Sequence, residues 1–471
     1  MKIQFLGAAQ EVTGSRHSVE FFHSGRSHHF LVDYGMFQGG QEASKKNIES
    51  FPFPLEDLEF IVLTHAHIDH SGLLPRLCAQ GFQGTIYCTK ASFDLLKILL
   101  PDSAYLQKAD LDRAIRKQKL GKWHGEMPIA LYTNEEVDAC LTQFVPLDYG
   151  QVVEPMPGVI LSLRNAGHIL GSAIAVIDLD EDGQERKRCV FTGDLGMKGK
   201  VLMPDPDLIE QADVLVMEST YGDRQHRSLE DTEKELVEVI TTTLNSHGNI
   251  VIPAFAVGRT QEILFLLINL VKRKLLPHLS IWVDSPMASA TTHLTQRYFS
   301  ELDAQSQHTF SWFQEHPDAV NLRFIADVEE SKALNRIKGG AIIISASGMC
   351  DAGRVVHHLL SNLPHEQNAV VITGFQAYGS LGRRLVDKVK KVRIFGEEVM
   401  VRASIHTIGG LSAHADQAGL LDWLRGFKQA PKTVFVVHGE AESSSVFAAC
   451  IREELDWKEV IIPERLHIYS C

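Results

Sequence analysis

Over roughly the first 220 residues, apolar positions fall in short runs: KIQFLGA, HSVEFF and HHFLVDYG, then FIVLTHAHIDH, TIYCTK, VILSLRNAGH, SAIAVIDL, KRCVFTGD and DVLVMEST. Runs of this length, rich in β-branched and aromatic side chains, predict strands. Longer amphipathic stretches separate many of them, so the pattern is that of an α/β protein. Several predicted strands end directly in an acidic residue or a histidine, namely Asp33, His65, His168, Asp194 and Glu218. Polar groups delivered at strand ends tend to converge on one rim of a sheet, where loops build a site. Between Ala91 and Gly150 a helical, partly basic insertion containing DLDRAIRKQKLGKWHG reads as a solvated face.

From Gly222 the texture changes. An amphipathic helix from Ser228 to about Ser246 leads to NIVIPAF, GRTQEILFLLINL, LSIWVDS, AIIISAS and NAVVITGF, a self-contained α/β unit with a mostly parallel sheet. After the basic segment RRLVDKVKKVRIFGEE, strand signals return in VMVRASIHTIGG and TVFVVHGE. The expected organisation is a first domain in two parts, residues 1–221 and 397–471, with residues 222–396 inserted between them.

Composition narrows the function. A chain of 471 residues has room for two or three domains with no need for staples. Lys and Arg number 46 against 59 Asp and Glu, a formal charge of −13. That balance argues against coating nucleic acid or anionic lipid by bulk charge, while leaving room for a local basic lining. The seven cysteines are scattered without a CxxC pair, so neither a disulfide framework nor a thiolate zinc site is expected. No signal peptide is readable, and the longest apolar run, ILFLLINLV, falls short of the about 20 residues a bilayer requires. The expectation is a cytoplasmic protein that does not enter a membrane.

Histidine changes the picture most, with 22 copies. THAHIDH places His65, His67, Asp69 and His70 immediately after a predicted strand. Alternate residues of an extended segment point the same way, so His65 and His67 can grip one ion, while Asp69 and His70 in the following turn can face a second. His168 in NAGHILGS, Asp194 in FTGDLG and His438 in VVHGE stand at further strand ends and complete the set. Imidazole and carboxylate without thiolate suit zinc, with manganese or iron also compatible.

These residues resemble the metallo-β-lactamase superfamily, whose metal motif looks like this HxHxDH. The insertion, the acid of VMEST and the GLSAHAD and VVHGE segments are similar to its β-CASP branch, which includes the endonuclease subunit of the cleavage and polyadenylation machinery and bacterial RNase J. The resemblance covers essentially the whole chain. It implies an αββα sandwich with an inserted α/β domain of mostly parallel sheet, and two divalent ions per chain. The first ion is then held by His65, His67 and His168, the second by Asp69, His70 and His438, with Asp194 bridging. Asp33 joins the catalytic group by orienting ligands. His414 in GLSAHAD is the implied general acid for a leaving 3′ oxygen, and Glu218 holds its other ring nitrogen.

The implied activity is hydrolysis of RNA phosphodiesters to 5′-phosphate and 3′-hydroxyl products, endonucleolytic in processing or decay. A 5′-to-3′ exoribonuclease, a thioester or lactone hydrolase and a non-catalytic RNA-binding subunit are the competing readings. The partner expected is single-stranded RNA, with a homodimer left open. RNA contacts are sought at Arg259 and Thr260 in PAFAVGRTQE, at Ser347, Gly348 and Arg354 in SASGMCDAGR, and at Gln376 and Arg383 in TGFQAYGSLGR. The basic run from Arg383 to Arg393 is a further candidate lining.

Overall fold

The computed structural model describes residues 1–471 apart from His124, Phe375 and Tyr378. Two compact units emerge. One comprises Met1–Lys198, Asp205–Gln225 and His414–Cys471; the other comprises Gly199–Pro204 and His226–Ala413.

In the first unit, one seven-stranded sheet runs in the order Ile468–Ser470, Lys2–Gly7, Arg16–His23, Arg26–Val32, Leu58–Val62, Thr85–Thr89, Phe144–Leu147. It is antiparallel as far as Arg26–Val32 and parallel beyond. The second seven-stranded sheet runs Val460–Ile461, Thr433–Val437, Val214–Glu218, Lys187–Phe191, Ala173–Leu179, Val159–Asn165, Val152–Met156. Its first four strands are parallel and the rest antiparallel.

Period-two alternation explains why the two sheets close on each other. Ile3 and Phe5, Val19 and Phe21, Phe30 and Val32, and Phe60 and Val62 share one buried cluster with Leu161, Leu163, Ala175, Ile177, Val216, Phe435 and Val437. Each large side chain so buried contributes about 1.5–3 kcal/mol of transfer free energy. The intervening residues Leu215, Met217, Val434 and Val436 pack instead with Leu420, Leu424, Phe447 and Ile451 of helices Gln417–Leu424 and Ala441–Leu455. Helix Lys90–Lys119 lies against the far strands of the first sheet. The layers are therefore helix, sheet, sheet, helix.

The second unit has a six-stranded sheet in the order Val320–Phe324, Leu279–Val283, Ala341–Ser345, Ile250–Pro253, Ala369–Ile372, Ser404–Thr407, parallel throughout. Its central strands read as unbroken apolar runs because both faces are covered. Ile250, Ile252, Ile342 and Ile344 meet Leu236, Ile240, Leu264 and Leu267 on one side, whereas Val251, Val370 and Ile372 meet Val355 and Leu359 on the other.

The end of this unit departs from the expected boundary at residue 396. Ser404–Thr407 pairs in parallel with Ala369–Ile372, and Ile408 and Leu411 enter the same core, so the unit continues to Ala413. Residues 397–413 were expected to return to the first domain. The basic run forms a short helix, Leu381–Val386, followed by the antiparallel pair Lys391–Ile394 and Glu397–Met400. Among the described residues, no helix is long and apolar enough to cross a membrane.

Candidate metal centre

The strand Leu58–Val62 is paired in parallel on both sides and hands the chain to the extended segment Leu63–His67 and the short helix Ile68–Ser71. Against this turn lies Gly35. A Cβ there would stand 1.6 Å from the Asp69 carbonyl oxygen, so only glycine lets the DYG segment pack so closely.

Two donor sets face each other across Asp194. In the first, His65 Nε2 lies 3.1 Å from His67 Nδ1 and 3.4 Å from Asp194 Oδ2. His168 Nε2 lies 3.3 Å from His67 Nδ1 and 3.5 Å from the same Asp194 oxygen. In the second, His70 Nε2 is 3.2 Å from His438 Nε2 and 3.3 Å from Asp194 Oδ1, and Asp69 Oδ2 is 3.5 Å from His438 Nε2. A tetrahedral ion with bonds of about 2.0–2.1 Å separates its ligand atoms by about 3.3–3.4 Å. The donor atoms thus already stand at the edge lengths of a coordination shell, and the residues fit a divalent cation in each set.

Neighbouring groups select which ring nitrogens face inward. Asp33 Oδ2 accepts from His70 Nδ1 at 2.7 Å, leaving the Nε2 lone pair toward the second set. Thr64 donates its amide and hydroxyl to Asp33 at 2.8 and 2.9 Å, so its hydroxyl oxygen accepts from His65 Nδ1 at 3.1 Å and turns His65 Nε2 inward. The Thr220 hydroxyl does the same for His438, donating to the His438 carbonyl at 3.0 Å and accepting from its Nδ1 at 3.2 Å. Such partners fix tautomer and ring orientation in metal sites. Asp33 and His438 both hold φ values in the left-handed region, 62° and 49°, the kind of local conformation that packing sustains at functional sites.

Protonation in the first donor set suits a cation as well. Burial, then the neighbouring His65, pushes His67 down to about 3, and burial likewise lowers His65 and His168, so these rings are neutral and offer lone pairs. Burial alone would favour a neutral Asp194, but the His438 and His70 imidazoles outweigh it and hold the carboxyl well below its usual range. Burial opposes charge on His70 too, yet Asp194 and Asp33 raise its pKa. The field in the pocket is negative.

Beside the first set stands a third group of acid and histidine residues. Glu218 is fully buried at the end of its strand, accepts from the Leu195 amide at 2.6 Å and the Thr220 amide at 3.3 Å, and meets His414 Nδ1 at 3.0 and 3.1 Å. The His414 ring lies 4.5 Å from that of His168, and its side chain is 20% exposed, unlike the enclosed rings around it. The adjacent Ala415 amide, bonded to the Leu195 carbonyl at 2.7 Å, anchors the segment.

All seven expected metal residues, with Asp33, Glu218 and His414, thus lie together in the first unit. The expected RNA-contact residues all lie in the second. Arg354 is committed to Asp284 at 2.7 Å, the Thr260 hydroxyl to the Phe255 carbonyl at 2.8 Å, and Arg383 to Asp387 at 2.8 Å. The Gln376 amide donates to the carbonyls of Gly348 and Gly374, and Ser347 donates its amide to the Ala352 carbonyl. Arg259 opens helix Arg259–Lys272 beside Glu262.

Sequence reasoning missed Thr64 and Thr220, whose only signal is adjacency to strand-end acids and histidines. It also missed Asp284, a fully buried acid that binds Arg354, Ser331 at 2.6 Å and His358 at 2.6 Å.

Comparisons with known proteins agree with this architecture. Residues 19–144 match the model of the metallo-beta-lactamase superfamily, residues 260–385 that of the Beta-Casp domain, and residues 398–463 that of the Zn-dependent metallo-hydrolase RNA specificity domain. The chain is 39% identical to ribonuclease TTHA0252 of Thermus thermophilus over 94% of each chain. It is 29% identical to the transcription termination factor FttA of Methanocaldococcus jannaschii, over 99% of this chain and 71% of that one. To the Pyrococcus abyssi FttA it is 30% identical, over 96% and 69%. With two facing sheets, donor sets at their strand ends and a relative this similar along nearly its full length, the chain belongs to the β-CASP branch of the metallo-β-lactamase superfamily.

Proposed function

We propose that this protein is a metal-dependent ribonuclease that cuts single-stranded RNA internally, leaving 5′-phosphate and 3′-hydroxyl ends. The observation that carries the reading is Asp194, which turns one oxygen toward each of two donor sets next to the His414–Glu218 pair. The similarity to a ribonuclease over 94% of both chains supports it.

His65, His67 and His168 would hold one ion and Asp69, His70 and His438 the other, zinc by donor chemistry, with Asp194 shared. When bound, such a pair of ions polarises a phosphodiester and lowers the pKa of water. The chain's own residues do the rest. Glu218 keeps the His414 Nδ1 proton in place, so Nε2 is the atom that delivers a proton to the departing 3′ oxygen. The Leu195 and Thr220 amides stop the carboxylate from turning away. Asp33 holds His70 directly and His65 through Thr64. Every one of these groups comes from a single chain, so the chemistry needs no second copy. All seven cysteines are free thiols, which supports placing the protein in a reducing, cytoplasmic compartment.

One RNA prepared with 5′-triphosphate, 5′-monophosphate and 5′-hydroxyl ends tests the proposal. Internal fragments independent of the 5′ group are expected. Mononucleotides from monophosphate ends alone would replace it with 5′ exonuclease action, and cleavage of a simple ester or lactone with RNA left intact would overturn it.

A further inference from the structure

In the second unit, the loops following Ile250–Pro253, Ala341–Ser345 and Ala369–Ile372 leave the carboxyl ends of three adjacent parallel strands. Open parallel sheets bind ligands outside such ends, where neighbouring crossovers depart in opposite directions. The crossover from Ile250–Pro253 leads to Leu279–Val283 past one neighbour, and that from Ala341–Ser345 leads to Ala369–Ile372 past the other.

Phe255 stands in the first of these loops with 46% of its surface exposed. The ring is held in place. The Phe255 carbonyl accepts from the Thr260 amide at 3.2 Å and hydroxyl at 2.8 Å, closing the turn into helix Arg259–Lys272. A Cβ at Gly348 would come within 3.1 Å of two Phe255 ring carbons, and one at Gly374 would lie 4.0 Å from the ring. Gln376 ties these two glycines by donating to their carbonyls at 3.0 and 3.2 Å.

We propose that Phe255 is a stacking platform for a nucleobase of single-stranded RNA. A flat apolar ring, exposed yet immobilised, suits a base of any identity, because every base has a π face. The inference rests on the ribonuclease reading and names where in the second unit that substrate is gripped.

The test compares an RNA oligonucleotide with a ribose-phosphate oligomer of equal length whose residues are abasic, both fluorescently labelled and followed by anisotropy. Binding is measured for the His414→Ala chain and for the same chain carrying Phe255→Trp, Phe255→Leu or Phe255→Ala. Stacking predicts that Leu and Ala weaken RNA binding about 5- to 150-fold, that Trp retains it, and that all four bind the abasic oligomer alike. Equal losses on both oligomers would reveal a merely structural ring, and unchanged RNA binding would dismiss the platform; either overturns the proposal. Cleavage of the RNA by the unsubstituted, metal-loaded chain is scored alongside. Cleavage with RNA affinity indifferent to Phe255 refutes the platform alone, whereas neither cleavage nor RNA binding refutes the reading beneath it.

Discussion

Glu218 presents both carboxylate oxygens to one nitrogen of His414, at 3.0 and 3.1 Å, while two backbone amides hold the carboxylate from behind. The acid is fully buried and the imidazole is not. This polarity gives the pair a direction, with the anchored end inside and the proton-bearing end outward.

His414→Ala is therefore expected to slow RNA cleavage by about 100- to 10,000-fold, the range for a lost general acid. Glu218→Gln should act in the same direction, because its amide nitrogen must face the Leu195 N–H or the Thr220 N–H and in either orientation also meets the His414 Nδ1–H. Metal content measured by emission spectrometry should stay at the level of the unsubstituted chain in the His414 variant. A parallel fall in bound metal would reassign His414 from proton transfer to coordination.

Asp33 adds no donor atom to either set, yet it serves both, directly at His70 and through Thr64 at His65. Asp33→Asn keeps the size, but its amide nitrogen must face either the Thr64 N–H, which Oδ1 accepts, or the His70 Nδ1–H and Thr64 hydroxyl, which share Oδ2. Competition against a chromophoric chelator should show metal affinity lower by about 10- to 100-fold. Unchanged affinity would show that ring orientation is set elsewhere.

Metal removal should destabilise the first unit. A ligand present at 1,000 times its Kd stabilises the folded state by about 4 kcal/mol, so a chelator is expected to lower the melting transition seen by calorimetry. In Asp194→Asn, with one oxygen replaced by an amide nitrogen, that chelator-dependent shift should shrink or vanish. A shift of full size in the variant would contradict the shared role of the two Asp194 oxygens.

In the second unit, Asp284→Ala would leave Arg354 and the buried His358 without their carboxylate. Breaking a buried pair on one side costs about 3–5 kcal/mol, readable as a lower urea midpoint. Metal content should not move. A neutral effect would mean that Arg354 is held by other contacts and is free to meet substrate.

Much of the site is legible in the chain because four of its residues are nearly consecutive. In His65, His67, Asp69 and His70, strand periodicity and a turn suffice to predict two groupings. Asp194 and His438 are legible only as polar strand ends, since the pairing of Val214–Glu218 with Thr433–Val437 that brings His438 in spans residues 226–413 of the second unit. Thr64 and Thr220 carry no such mark; hydroxyls beside strands are commonplace, and their use depends on which carbonyl or carboxylate faces them. The placement of residues 397–413, with strand Ser404–Thr407, in the first domain differs from the structure for a similar reason. The strand's four residues are half-buried or exposed, so hydrophobicity could not choose between sheets, and backbone pairing decided.

The insertion of Thr433–Val437 between Val214–Glu218 and Val460–Ile461 also bears on how the protein is made. Synthesis proceeds from the N-terminus, so His65, His67, Asp69, His70, His168, Asp194 and Glu218 leave the ribosome before residues 226–413 of the second unit, and His414 and His438 only after them. A nascent chain that ends before these last two histidines has the residues of the first donor set, a second set without His438, and a Glu218 without its imidazole partner.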